Sequence, residues 1–187
     1  MALLRDIRIE TGSKRNPIQR RQYKDRIQYF VEKAAPSSGL KSLVGYDCGF
    51  EVESNGSRYK ELSVTLPLST VCPCSKEISD EGEHNQRANI TIVTKQPLED
   101  ARIIWLEDLI GPAKRSGSAE VLTTLRRIDE KAPIKRMFKS PAFVEDVVRN
   151  VVQELKDEVG GVRYTVKCES FESIHPHNAY AESRGEC

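Results

Sequence analysis

Two cysteines and a histidine lie close together in one short polar stretch of the chain. Cys72 and Cys74 flank Pro73, and His84 follows as the first of three histidines. In an extended backbone alternate side chains point the same way, so both sulfurs would project to one side, and Pro73 would stiffen the segment. Thiolate and imidazole are typical zinc ligands, which a carboxylate and a water would complete. The spacing alone is equally consistent with two thiols that bind no metal and a histidine on the surface.

The other two histidines lie in a second polar stretch near the end of the sequence. His175 and His177 follow Glu169 and Glu172 there. Because imidazole titrates near neutral pH, two imidazoles beside two carboxylates are suited to proton transfer. The sequence therefore contains candidate residues for metal binding and for acid–base chemistry.

Charge and cysteine usage exclude several classes of protein. The 187 residues carry 29 Lys and Arg against 28 Asp and Glu, so the net charge of +1 indicates neither nucleic acid nor a membrane as partner. No apolar stretch reaches the length of a bilayer span or a signal peptide. The five cysteines, an odd number, match no secreted disulfide framework. We predict reduced thiols and a cytoplasmic protein.

Alternating apolar residues predict four strands around a long polar connection. The period-two stretches lie at 44–52, 62–68, 88–92 and 162–168. Residues 70–87 then connect the second strand to the third and contain the C-x-C pair. Connections of that length inside a compact domain are usually functional.

Between the predicted strands at 88–92 and 162–168, most of the sequence has apolar residues at helical spacing. Residues 103–110 share one apolar face, Gly111-Pro112 predicts a kink or an end, and 118–127 form a second helical piece. Strands, then helices, then a strand again, without repeated βαβ units, indicate an antiparallel α+β fold.

The strongest helical pattern covers residues 144–155. Its apolar positions recur at three- and four-residue spacing. We predict Ser140 as its N-cap, Pro141 in its first turn and Gly160-Gly161 at its end.

Five motifs closely resemble, in order, the signatures of the GTP cyclohydrolase type IB family, over a region from about Tyr29 to the end. The motifs are 66–79 around Cys72 and Cys74, 82–87 around His84, Ile128-Asp129-Glu130-Lys131, Phe143-Val144-Glu145-Asp146, and 171–180 around Glu172 and His175. The resemblance implies a tunnelling fold, in which antiparallel strands and paired helices of several subunits form an oligomeric barrel. It further implies a homotetramer with active sites at subunit interfaces.

The resemblance also implies a metal and a reaction. Cys72, His84 and Glu130 would be the metal ligands, with zinc as the ordinary ion and manganese or ferrous iron as alternatives. The reaction would be hydrolytic opening of the guanine ring of GTP at C8, with release of formate and formation of 7,8-dihydroneopterin triphosphate. This is the first step of folate and pterin biosynthesis.

The remaining site residues follow from the same motifs. Cys74, Glu172 and His175 would act in catalysis and proton transfer, and Glu145 would anchor the purine. Three basic residues near the motifs are candidates for binding the triphosphate: Lys76, Arg87 and Lys131.

The sequence departs from the family pattern at its beginning and at two prolines. We interpret residues 1–28 as a basic segment, which over 1–26 is frayed or partner-dependent or else an arm that binds a polyanion. Residues 29–187 are interpreted as one tunnelling-fold region whose first half-module is shortened. Pro112 interrupts a helix, and Pro176 stands where the family has asparagine.

Two other functions remain open on the sequence. One is a nitrile-reductase-like enzyme of the same fold, which would act on a purine or pterin without a metal. The other is a non-enzymatic structural zinc-binding module.

Overall fold

One antiparallel sheet with helices packed on one face forms the framework of the protein. The computed structural model describes residues 22–54 and 56–187. The strands in these residues are β1 (Gln22–Ala34), β2 (Lys41–Glu53), β3 (Tyr59–Val71), β4 (Asn85–Pro97), β5 (Ala119–Glu120), β6 (Arg163–Ser170) and β7 (Ala179–Glu186). The helices there are α1 (Pro73–Ile78), α2 (Leu106–Ser116), α3 (Lys131–Lys139) and α4 (Val144–Glu158). The predicted antiparallel α+β class is confirmed.

The strand order brings four strand ends together at one edge of the sheet. The order is β1-β2-β3-β4-β6-β7, every pair is antiparallel, and the short β5 pairs with β3. Val71 at the end of β3 lies opposite Asn85 at the start of β4. Ser170 at the end of β6 lies opposite Ala179 at the start of β7. We call this end of the sheet the site edge, because the cysteine and histidine motifs follow directly from it.

The core lies between the sheet and the helices α2 and α4. Alternate residues of β3 and β4 such as Leu66, Leu68 and Ile90 are fully buried on the covered face. They pack in one cluster with Val147 and Val151 of α4. Burial of each such side chain contributes about 1.5–3 kcal/mol. The four predicted strands and the strong helix are confirmed as parts of this core.

Three strands were not predicted, and one predicted helix is wrong. Residues 118–127, predicted as helical, instead contain β5, where Ala119 pairs with Ser69 of β3. The hydroxyl of the buried Ser118 accepts a hydrogen bond from the Val71 N–H at 3.1 Å. Because the backbone of β5 is hydrogen-bonded to β3, it is not free to make the hydrogen bonds of a helix.

The basic N-terminal segment is partly a strand. Residues 22–26 belong to β1, with Gln22 opposite Glu53 of β2, so the prediction of a frayed segment is wrong for them. Residues 1–21 lie outside the described residues. Charged side chains in β1 conceal its alternation in the sequence.

The prolines and the helix cap also differ from the predictions. Helix α2 does not end at Pro112 but continues to Ser116. Ser140 is not the N-cap of α4, because its backbone N–H donates to Arg136 and closes α3. The carboxylate of Asp146 instead accepts the Phe143 N–H at 3.2 Å and caps α4. The predicted Gly160-Gly161 end is confirmed, since both glycines follow α4 with positive φ.

Arg102, in the connection between β4 and α2, clamps the segment that follows α4. Its guanidinium donates to the carbonyls of Gly160 and Gly161 at 2.9 and 3.0 Å. Its other N–H groups bind the Asp100 carboxylate at 2.8 Å. Side-chain and then backbone hydrogen bonds from Arg102 lower the pKa of Asp100 to about 2.

Acid is expected to weaken this clamp. The folded pKa of Asp100 lies below its ordinary value of 3.8, so its contribution to stability is complete above about pH 4 and is lost as the pH falls toward 2. Thermal melts between about pH 6 and pH 2 should show a smaller loss for Asp100→Asn than for the wild type. Asp47→Asn, at an exposed position of β2, is the control and should follow the wild type. Identical pH dependence in Asp100→Asn and wild type would contradict this role.

None of the helices in the described part of the chain has both the length and the apolar character needed to cross a bilayer.

Candidate active site

A cavity of about 240 Å³ opens at the site edge, below the first turn of α4. Its walls are Thr70, Cys72, Gln86, Ala142, Phe143, Val144, Glu145, Ser170, Glu172, His175, His177 and Ala179. We call it the site cavity. It joins residues of three stretches that lie far apart in the sequence, including both stretches singled out for their chemistry.

The C-x-C segment is helical rather than extended. Cys72 is the N-cap of α1, Pro73 is its first residue, and Cys74 lies in its first turn. Proline fits this position because its φ suits a helix and its missing N–H would have no partner there. The prediction that both sulfurs project to one side from an extended backbone is therefore wrong. Cys72 is half-buried and lines the site cavity, whereas Cys74 is exposed and lies outside the cavity walls.

Cys72 and His84 are neighbours across the ends of β3 and β4. The Cys72 N–H donates to the His84 carbonyl at 3.3 Å, which continues the strand ladder by one step. The backbone thus holds the residue that carries the thiol next to the residue that carries the imidazole, as a site shared by the two would require.

Gln86 links His84 to Glu172, and sequence reasoning missed it. Its Oε1 lies 2.9 Å from His84 Nδ1, and its Nε2 donates to Glu172 Oε1 at 3.5 Å. Ser173 Oγ also lies 3.4 Å from Nδ1 of His84, so both contacts of the His84 ring are made through Nδ1 rather than Nε2. Gln86 follows His84 at strand spacing, which is the pattern that would have identified it.

Glu145 lies in the first turn of α4 and reaches the wall of the site cavity. A carboxylate is favourable at this position because the N-terminal end of a helix carries partial positive charge. Burial, with a smaller contribution from the Glu145 charge, raises the pKa of Cys168 to about 12. The thiol of Cys168 therefore stays neutral beneath the cavity.

His175 and His177 form a stacked pair in the loop between β6 and β7. Their ring centroids are 5.3 Å apart with planes 17° from parallel, and both residues line the site cavity. The cavity thus receives two exposed imidazoles, and Glu172 lies half-buried beside them. These are side chains that can exchange protons with a bound ligand.

Glu130 lies apart from the other two predicted metal ligands. It is exposed at the N-terminal end of α3 and does not line the site cavity. Its neighbour Asp129 is fully buried and accepts the N–H groups of Ser37 and Ser38 at 2.9 and 2.6 Å. Within residues 22–54 and 56–187, no group of three or more His, Cys, Asp or Glu side chains is close enough to hold a metal ion.

The donor chemistry of Cys72 and His84 nevertheless fits a divalent metal. Sulfur and imidazole nitrogen suit zinc, and the Gln86 contact is made to Nδ1 of His84 rather than to Nε2. The metal set of Cys72, His84 and Glu130 stays a prediction, in which Glu130 has to approach the other two ligands.

The three predicted triphosphate ligands lie outside the walls of the site cavity. Lys76 donates to the Phe138 carbonyl at 2.6 Å, at the end of α3. Arg87 is exposed in β4, on the face opposite the neighbouring Gln86, and Lys131 is exposed at the start of α3. Their role in binding phosphate stays a prediction.

The fold and the cavity define an α+β protein with a site suited to acid–base chemistry, and sequence comparison identifies its family. The family model described as type I GTP cyclohydrolase FolE2 matches residues 4–181. The chain belongs to this family. The match begins earlier than the motifs, which resemble the family from about Tyr29.

Individual relatives are similar to most of this chain. A GTP cyclohydrolase FolE2 of Syntrophus aciditrophicus is 46% identical over 155 residues, 82% of this chain and 59% of the relative. The protein of that name from Fervidobacterium nodosum is 41% identical over 180 residues, 96% of this chain and 66% of the relative. That from Methylobacillus flagellatus is 46% identical over 154 residues, 82% of this chain and 56% of the relative. The chain thus spans between 56% and 66% of the length of these relatives.

Proposed function

We propose that this protein is a GTP cyclohydrolase. It opens the guanine ring of GTP at C8, releases formate and forms 7,8-dihydroneopterin triphosphate, the first step of folate and pterin biosynthesis. One observation carries the proposal beyond family membership: the site cavity brings together Cys72, Glu145, Glu172 and His175, as the motifs require.

Glu145 recognises the purine in this proposal. Its carboxylate accepts hydrogen bonds from the guanine ring N–H and the exocyclic amino group, which form a donor pair. Its place on the cavity wall, in the rigid first turn of α4, supports this role. A charged acceptor aimed at two donors also orients the base toward the histidines.

Glu172 and His175 move protons at the nitrogen and oxygen atoms of the substrate. Loss of formate and closure of the pterin ring require repeated proton delivery, and both residues line the same cavity. Gln86 holds Glu172 by its side-chain amide. Cys74 is the third proposed catalytic group; it is exposed in α1, two residues after Cys72 of the cavity wall.

Cys72, His84 and Glu130 hold one divalent metal ion in this proposal, with zinc first and manganese or ferrous iron as alternatives. When bound, such an ion supplies Lewis-acid activation of water at neutral pH. Gln86 fixes the His84 ring through Nδ1, and the β3–β4 ladder fixes the spacing between Cys72 and His84.

The assembly we propose is a homotetramer with a tunnelling-fold barrel, located in the cytoplasm. The long strand β1 and the strand β7 each end the sheet, so among the described residues each has one paired side. Edge strands of this kind are suited to pairing with another subunit. Such pairing would also bring a second subunit close to the site edge.

The decisive experiment incubates the purified chain with GTP and zinc, manganese or ferrous iron in turn. Formate release and a fluorescent pterin after oxidation are expected, with loss of both after chelation and recovery on adding metal. A folded protein that releases no formate with any of the metals would overturn the proposal. NADPH-dependent turnover that resists chelation would favour the nitrile-reductase-like alternative instead.

A further inference from the structure

A second cavity, of about 460 Å³, lies between the end of β1, β5 and the helices α2 and α3. Among the described residues it shares no wall with the site cavity. Its walls carry the cationic side chains Lys33, Lys114 and Arg136. We call it the basic cavity.

Carboxylates in the walls balance only part of this positive charge. Glu120 forms ion pairs with Lys33 and with Lys114, the latter at 3.5 Å, so one carboxylate serves two ammonium groups. Glu32 also borders the cavity, but its carboxylate pairs with Lys41 at 2.8 Å. Because side chains alternate along a strand, Glu32 and Lys33 point to opposite faces of β1. Within the described residues, Arg136 forms no ion pair with a carboxylate.

Lys33 is the buried member of this cluster. Its side chain is only 10% exposed, and the Glu120 carboxylate that it contacts is shared with Lys114. Burial, together with the neighbouring charges of Lys114 and Arg136, lowers the pKa of Lys33 to about 7. A buried ammonium is costly unless further acceptors surround it. The cavity therefore favours an additional anion.

We propose that the basic cavity binds a phosphate-bearing anion. The planar guanidinium of Arg136 can bind two phosphate oxygens at once, and the two lysines add point charges around them. The volume falls in the range of pockets that hold small ligands. Two sources share this chemistry, namely the triphosphate of the nucleotide substrate and a separate phosphorylated ligand.

Calorimetric titration with tripolyphosphate at fixed ionic strength tests the site without requiring turnover. Arg136→Met and Lys114→Met should each weaken binding roughly tenfold or more, because each removes a charged donor. Lys135→Met is the matched control, since Lys135 is exposed on the same helix and lies outside the cavity walls. Equal affinity in all three variants and wild type, or no binding at all, would overturn the proposal.

Glu120→Gln should change the affinity for tripolyphosphate in the opposite direction. This change removes the carboxylate that competes with the anion, so tripolyphosphate should bind more tightly than in the wild type. Without tripolyphosphate the variant should melt at a lower temperature than the wild type, because Lys33 loses its partner. When tripolyphosphate is added, the melting temperature of the variant should rise by more than that of the wild type. If Glu120 serves only the fold, the melting temperature falls and the anion restores nothing, which contradicts the site.

The KM for GTP distinguishes the two sources. A rise in KM in Arg136→Met, parallel to the loss of tripolyphosphate affinity, assigns the cavity to the triphosphate of the substrate. An unchanged KM with the same loss assigns it to a separate phosphorylated ligand. Both results uphold the anion site, and the titrations remain decisive even if the proposed cyclohydrolase activity fails.

Discussion

Glu145→Gln is expected to lower kcat/KM for GTP roughly 100- to 1,000-fold while the protein stays folded. The amide places an N–H donor against a purine donor, so one hydrogen bond becomes a repulsion and the charge that strengthened the other is lost. The change also removes a favourable charge at the start of α4, which should cost about 0.3–1 kcal/mol of stability. Steady-state kinetics with GTP and a thermal melt measure the two effects.

Asp146→Asn is the matched control for this prediction. Asp146 is the next residue of the same helical turn, and its carboxylate caps the helix rather than lining the site cavity. We expect this variant to lose more stability than Glu145→Gln and far less activity. If the two variants lose activity equally, Glu145 acts through the helix and is not the purine anchor.

Cys72→Ala is expected to give a folded protein that has lost its bound metal and at least about 1,000-fold of its activity. Cys72 is half-buried at the surface of the site cavity rather than within the sheet core, so its truncation leaves no large void. Loss of the thiolate removes one of three proposed protein ligands. Metal content, circular dichroism and formate release measured on one preparation test all three statements.

Cys187→Ser is the control for Cys72→Ala. Cys187 is also half-buried, but its thiol donates to the Val162 carbonyl at the opposite end of β6 from the site edge. This variant should keep both metal and activity. If Cys72→Ala unfolds instead, the metal stabilises the fold, and the structural zinc-binding module becomes the better interpretation.

The sequence predicts those parts of the fold in which buried apolar residues recur at a regular spacing. Helix α4 and the central strands follow from apolar periodicity, because one face of each is packed against the other layer. The strand β5 has only two residues and is held by β3 and by Ser118, which no local pattern reveals. The N-cap of α4 was misplaced because Asp146 caps the helix from inside its first turn, whereas Ser140 has the residue type of a cap but closes α3.

Some features of the site were likewise predictable from the sequence, and others were not. Cys72, Glu145, Glu172 and His175, which come from separate motifs, line one cavity, and their roles stay predictions. The geometry of the C-x-C pair was wrong because Pro73 starts a helix there instead of stiffening a strand. Gln86 is an ordinary strand residue by type, and only its two contacts reveal its place between His84 and Glu172.

The Arg102 clamp lies at the end of α4 opposite the site cavity. Helix α4 is held by Arg102 just beyond one end and carries Glu145 near the other, and its apolar face packs in the core along its length. Helix α4 also packs on β6 and β7, the strands on either side of the histidine loop. The wall of the site cavity that carries Glu145 and the wall that carries the histidines therefore rest on one packed unit.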